Sequence, residues 1–232
     1  LYTSRTQGKG HTMNWTAQSD NYCERVDLTY WAEPFNAITN AAFIIAALIM
    51  LYRLRGTGLV GGYVLTAVLA AIGTGSYLFH THATNWALLA DVAPIGLFIL
   101  TYLYLVYTRY LNWPWWAGVL GTVAFAPYAA AMLPVLNALP FFNISNFYWT
   151  VPVLLFAFAP FVARTNRQTA RGMVIGALIL CMSITLRSLD MLLCDVFPIG
   201  THIFWHILNG VMLGWMIEVY RRHCLAPQAG AV

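Results

Sequence analysis

Charge is what this sequence has least of. Only 9% of its 232 residues are Asp, Glu, Lys or Arg, where a soluble domain carries about 25%. Together with a 60% hydrophobic content, that shortage excludes an ordinary water-soluble domain and indicates one polytopic membrane domain. Cysteine is also scarce: there are four, none in a CxxC pair, so a dithiol redox motif has no basis. Residues 1–31 lack an apolar core of the kind a cleavable signal peptide needs. The formal charge of +4 raises nucleic acid as a partner, but the 12 Lys and Arg residues gather in no single basic patch. No internal repeat and no low-complexity tract is present.

What the chain does have is seven apolar stretches, at about Ala32–Tyr52, Leu59–Phe79, Trp86–Tyr107, Trp113–Leu133, Phe147–Ala163, Gly172–Leu193 and His202–Tyr220. A helix needs roughly 20 apolar residues to cross the hydrocarbon, with a range of about 17–25. The runs are continuous rather than alternating, which excludes spanning β-strands. The expected fold is therefore all-α: a seven-transmembrane helix bundle with short, antiparallel connections. Trp113, Trp115 and Trp116 suit interfacial anchoring. Leu1–Thr12 reads like a vector-derived remnant, with Met13 a plausible native start. Residues 13–31 form an N-terminal segment, 32–220 the bundle and 221–232 a tail.

Arginines set the orientation. The odd connections carry Arg53 and Arg55, Arg109, and Arg164, Arg167 and Arg171, and the C-terminus adds Arg221 and Arg222, whereas the even connections carry none and the N-terminal segment has Arg25, with Arg5 and Lys9 in the suspected remnant. By the positive-inside rule the N-terminus lies outside and the C-terminus is cytoplasmic. Seven of the eight acidic residues (Asp20, Glu24, Asp27, Glu33, Asp91, Asp190 and Asp195) then fall on the non-cytoplasmic side with His80, His202 and His206. Only Glu218 falls at the other end, among arginines, where an ion pair is expected. Arg187 and Asp190 are three residues apart on the sixth stretch and read as a structural pair.

Ionisable groups inside a membrane are costly and tend to be paired and functional. His202 and His206 are four apart on one helix, hence on one face and about 6 Å apart along the axis. That spacing suits two ligands of one metal, although two interfacial histidines bonded to backbone or water would give the same pattern. His80 ends the second stretch at the same depth; His82 is expected in the loop. Three histidines with an open fourth position match catalytic zinc, whose bound water ionises near pH ~7. Ser76 lies one turn from His80 on the same face and either bonds a backbone carbonyl or donates to an oxyanion. Asp91 opens the third stretch and either orients a histidine or acts as general base and acid. Asp20, Glu24, Asp27 and Glu33 would repel one another unless solvated or bound to a hard cation such as calcium. Cys23 and Cys194 share the acid-rich side, Cys181 lies within a span and Cys224 at the far end; a Cys23–Cys194 disulfide and free thiols are both open readings.

Three strings carry a resemblance. Tyr22-Cys23-Glu24-Arg25 followed by Ala32-Glu33-Pro34-Phe35-Asn36, Ser76-Tyr77-Leu78-Phe79-His80 followed by Asp91, and Gly200-Thr201-His202-Ile203-Phe204-Trp205-His206 together resemble the alkaline ceramidase family. The chain is similar to a bacterial-type member of that seven-helix superfamily, which also holds the adiponectin and progestin receptor group. The resemblance implies an intramembrane zinc amidase that cleaves ceramide to a sphingoid base and a fatty acid. It implies His80, His202 and His206 as zinc ligands, Asp91 as the acid/base carboxylate and Ser76 as the residue supporting the oxyanion. It further implies a calcium site from Asp20, Tyr22 (through its backbone carbonyl), Glu24, Asp27 and Glu33, and a disulfide between Cys23 and Cys194. The segment between Cys23 and Glu33 is shorter than in the animal enzymes.

The expected function is thus zinc-dependent hydrolysis of ceramide or a ceramide-like N-acyl lipid taken from the bilayer. The expected location is a bacterial inner membrane, with the site toward the non-cytoplasmic side. Two alternatives stand beside it: hydrolysis of other lipid amides or esters, and a receptor-like zinc protein with little turnover. A transporter fits poorly, because no symmetric halves with interrupted helices are found.

Overall fold

The structure is a computed structural model and describes residues 14–19 and 22–226. Among these, seven helices are long and apolar enough to cross a membrane: α1 (Pro34–Leu54), α2 (Val60–His82), α3 (Asn85–Tyr110), α4 (Trp115–Asn137), α5 (Phe142–Ala163), α6 (Arg167–Leu189) and α7 (His202–Leu225). The described residues contain no strand beyond an isolated bridge between Gln18 and Thr84. The outer surface is apolar where a bilayer would lie: Ile45, Leu48, Leu120, Val123 and Leu178 are exposed. Trp113, Trp115 and Trp116 are exposed around the start of α4.

The apolar runs locate all seven helices but misplace several ends, and each miss has a physical cause. Helix α6 starts at Arg167, five residues before the apolar run, because the Asn166 side chain accepts the Thr169 N–H at 2.9 Å and caps it. Hydropathy cannot see a helical turn made of Arg, Gln and Thr. The same helix ends at Leu189, and the apolar Met191–Leu193 instead form a short 3₁₀ turn. At the other end of the chain, α7 continues past Tyr220 through Arg221, Arg222 and His223. Helix α2 runs through His82, which the apolar count leaves in the loop. Its ring faces Tyr30 and Trp86.

Two features bring one end of the bundle together. The first is a main-chain contact between α2 and α3. A Cβ placed on Gly75 would lie 1.9 Å from the Ala90 carbonyl oxygen, so only glycine lets the helices touch there. This contact puts Ser76 and Asp91, the next residue on each helix, side by side. The second is the N-terminal segment, which folds back across the α2–α3 turn. Ser19 N–H donates to Ala83 O at 2.8 Å, and Asn85 and Trp86 donate to Ala17 O and Trp15 O at 3.1 and 3.0 Å. Ala83 itself adopts a left-handed conformation, φ 47°. Cys23 and Cys194 form a disulfide that ties this segment to the α6–α7 connection, while Cys181 and Cys224 are free thiols.

Candidate metal centre

The three histidines reach the same point from two helices. His80 sits in the last turn of α2, whereas His202 and His206 occupy the first two turns of α7. All three are buried, at 0–1% exposure. One ring nitrogen from each lies within 4.8 Å of the others. His80 Nε2, His202 Nδ1 and His206 Nε2 are buried and have no hydrogen-bond partner among the described residues. A buried, unpaired polar nitrogen is costly, and three aimed at one place fit a shared cation.

The neighbours of these rings set which nitrogen is free. His80 Nδ1 faces Glu33 Oε2 at 2.5 Å, so it carries the proton, donates it to the carboxylate, and leaves the Nε2 lone pair open. This carboxylate–histidine pairing is the usual support of a metal ligand. The Thr39 hydroxyl bonds the Phe35 and Asn36 carbonyls as a donor. It can therefore only accept from His206 Nδ1, 2.9 Å away, which again leaves Nε2 open. His202 stacks on the Tyr22 ring with centroids 3.8 Å apart. Its backbone N–H donates to Asp190 Oδ1 at 2.9 Å, and Asp190 Oδ2 accepts from Cys23 N–H at 2.9 Å. Asp190 thus caps the start of α7 and joins it to the N-terminal segment. Gly200 (φ +75°) packs so closely that an added Cβ would lie 2.3 Å from Asp190 Oδ1.

Arg187 and Asp190 do not pair. Asp190 is committed to the two N–H groups above. Arg187 instead donates to Ser145 Oγ at 2.8 Å and to the Tyr22 hydroxyl at 3.4 Å. Its guanidinium lies over the rings of Tyr22, Tyr148 and Trp205. The expected Glu218 pairing is present: Arg53, Arg221 and Arg222 all contact that carboxylate.

Ser76 and Asp91, both buried, stand at the polar end of a cavity lined mainly by apolar side chains. Asn209, three residues beyond His206, shares that end, while Phe98, Tyr102 and Met216 line deeper positions. Asp91 and Tyr102 are eleven residues apart on α3, so the cavity follows that helix for about 16 Å.

The residues of the implied calcium set are placed differently. Asp20 lies outside the described residues. Glu24 Oε1 and Oε2 accept the N–H groups of Phe35 and Asn36 at 2.7 and 2.8 Å, capping α1 and favouring the helix dipole. Burial raises the Glu24 carboxyl pKa, against those two bonds. Asp27 Oδ1 accepts from the Thr29 amide and hydroxyl, which hold its carboxyl below the usual range. The Tyr22 carbonyl accepts from Arg25 N–H. Glu33 bonds His80, Asn36 and Arg25. Burial pushes the Glu33 carboxyl up, but the bonds and charges of His80 and Arg25 outweigh it, and the net direction is down. Calcium needs 6–8 oxygen ligands. Both oxygens of Glu24 and Glu33 and Asp27 Oδ1 already accept from protein donors, one of them a guanidinium, so an ion bound there would compete with those bonds.

The residues that sequence reasoning missed are Arg25, Thr39 and Asn36, together with the bond from Glu33 to His80. The Arg25 finding also explains an arginine on the side where the charge rule expects few. It is buried and paired, not a solvated charge.

A seven-helix apolar bundle with a buried three-histidine group and a carboxylate–hydroxyl pair at one end defines a polytopic membrane protein with a candidate metal site. The Ceramidase family model matches residues 15–229, and the chain belongs to that family. Membership suggests a lipid amide hydrolase. A search of curated proteins finds no match.

Proposed function

We propose that this chain is an intramembrane, zinc-dependent amidase that cleaves ceramide or a ceramide-like N-acyl lipid into a free fatty acid and a sphingoid base. The observation that carries the reading is the convergence of three unpartnered imidazole nitrogens beside Ser76 and Asp91 at the polar end of an apolar cavity. His80, His202 and His206 are the residues that would hold zinc, which when bound supplies Lewis acidity and an activated water. The cavity takes the acyl chain and keeps bulk water from the reacting amide. Asp91 accepts the proton of the attacking water and delivers it to the departing amine. The Ser76 hydroxyl donates to the carbonyl oxygen as negative charge develops on it. By the arginine distribution this end of the bundle faces away from the cytoplasm, at the depth where a lipid headgroup meets its chains.

A metal-stabilised receptor is the competing reading. Asp91 and Ser76 favour hydrolysis, because an ion with a purely structural role needs neither at the mouth of a cavity. The test is incubation of purified protein with ceramide, N-acyl amino acid and ester lipids, with free fatty acid read by mass spectrometry. Release from ceramide, lost together with zinc in His80→Ala and His202→Ala, is the expected result. Full zinc content and full turnover in those variants would sink the proposal, and faster release from the esters would redirect it to the wider lipid hydrolases.

A further inference from the structure

We propose that the Arg25 guanidinium is the resident cation of the N-terminal segment: a positioning residue that holds Glu33, and through it His80, so that the segment takes no calcium ion. The inference rests on the reading of the three histidines as a metal centre.

Arg25 is 6% exposed and its side chain only 1%. Its Nε–H donates to Glu33 Oε1 at 2.5 Å, Nη1–H to the Asp27 carbonyl at 3.2 Å and Nη2–H to the His80 carbonyl at 3.0 Å. His80 is therefore held twice by one side chain. Its ring is held through Glu33, which spans Arg25 on one oxygen and His80 on the other. Its carbonyl, in the last turn of α2 where no helical N–H remains to bond it, is held directly. A positive charge is also favoured at that helix terminus. The Asp27 carbonyl brings the N-terminal segment into the same grip.

A calcium ion on Glu33 would have to displace the guanidinium or sit beside it against like-charge repulsion. Both oxygens of Glu33 are already bonded, and displacing Arg25 would leave a buried guanidinium unpaired, which is more costly than an unmade neutral bond. A planar fork of five donors can serve a carboxylate and two carbonyls at once. It does so without the concentration dependence of a dissociable ion.

The first test uses the wild-type protein in detergent, stripped of loose ions, with zinc and calcium counted by mass spectrometry and lipid turnover followed as calcium chloride is returned. The expected result is less than about one-tenth of a calcium per chain, against the full occupancy of a dedicated site, and turnover that does not respond. One calcium per chain with turnover rising on its return overturns the proposal. The second test replaces zinc with cobalt and compares wild type, Arg25→Ala and Arg25→Lys. Loss of the fork lowers metal affinity by about 10–100-fold, as for other residues that orient metal ligands, and shifts the cobalt ligand-field spectrum. Millimolar guanidinium restores both in Arg25→Ala. Lysine keeps the charge but not the three-way geometry, so Arg25→Lys falls between, and it carries the same readouts if the alanine variant does not fold. A folded variant with unchanged affinity and spectrum overturns the positioning role. Folded wild type that takes neither zinc nor cobalt overturns the metal-centre reading and the link to His80 with it, while the calcium count still judges the resident cation.

Discussion

Glu33 and Glu218 are both nearly buried carboxylates held by arginine, at opposite ends of the same bundle. Glu218 gathers Arg53, Arg221 and Arg222 at 2.6–2.8 Å, and all three are partly exposed, at 20–48% of their side-chain area. Glu33 has one arginine, itself buried, and spends its other oxygen on an imidazole. Among the described residues the Glu218 cluster contains no buried side-chain polar atom without a partner, whereas the Glu33 network ends on the unpartnered His80 Nε2. A carboxylate–arginine contact alone therefore says little about role; what distinguishes the candidate metal site from a staple is the ligand atom left open at the end of the chain of bonds.

Four variants test that contrast. Asp91→Asn keeps the size and removes the proposed proton acceptor, so turnover should fall by about 10²–10⁴-fold while zinc content stays at wild-type level. Loss of zinc along with activity would instead make Asp91 a support for the metal. Replacing both Cys23 and Cys194 by serine frees the N-terminal segment from the α6–α7 connection. A loss of roughly 2–4 kcal/mol is expected, seen as a lower melting temperature in detergent. Glu33→Gln should weaken zinc binding by about 10–100-fold, because a neutral amide leaves both His80 and Arg25 poorly matched. Glu218→Gln should leave zinc content and turnover unchanged and cost about 1 kcal/mol or less, since its arginines reach solvent. If Glu218→Gln impaired metal binding as much as Glu33→Gln did, the two ends would not differ in kind.

Much of this was legible in the amino-acid sequence because it is local. Seven runs of apolar residues mark the helices, and the four-residue step from His202 to His206 and from Ser76 to His80 places each pair on one face. The remainder depends on contacts that no local spacing encodes. Glu33 and His80 are 47 residues apart, and nothing in either neighbourhood signals that one orients the other. Arg25 reads as an ordinary loop charge until the chain folds back over α2. Arg187 and Asp190 show the reverse failure. Their three-residue step suggests a pair, but stronger partners elsewhere, backbone amides for the acid and hydroxyls and aromatic rings for the base, claim both. The start of α6 was hidden because a cap and a polar first turn carry no hydropathy signal.

The touching main chains at Gly75 and Ala90 have a consequence for how such a protein can diversify. The separation of Ser76 from Asp91 is set by backbone meeting backbone, a spacing that no exchange of bulky side chains deeper in the cavity disturbs. Phe98, Tyr102 and Met216, which line the same cavity, can therefore be traded for smaller or larger groups, changing the room for the proposed acyl chain, while Ser76 and Asp91 keep their register. On the proposed reading, fit and chemistry are then mechanically separate: the cavity can change its occupant while the Ser76–Asp91 end stays as it is.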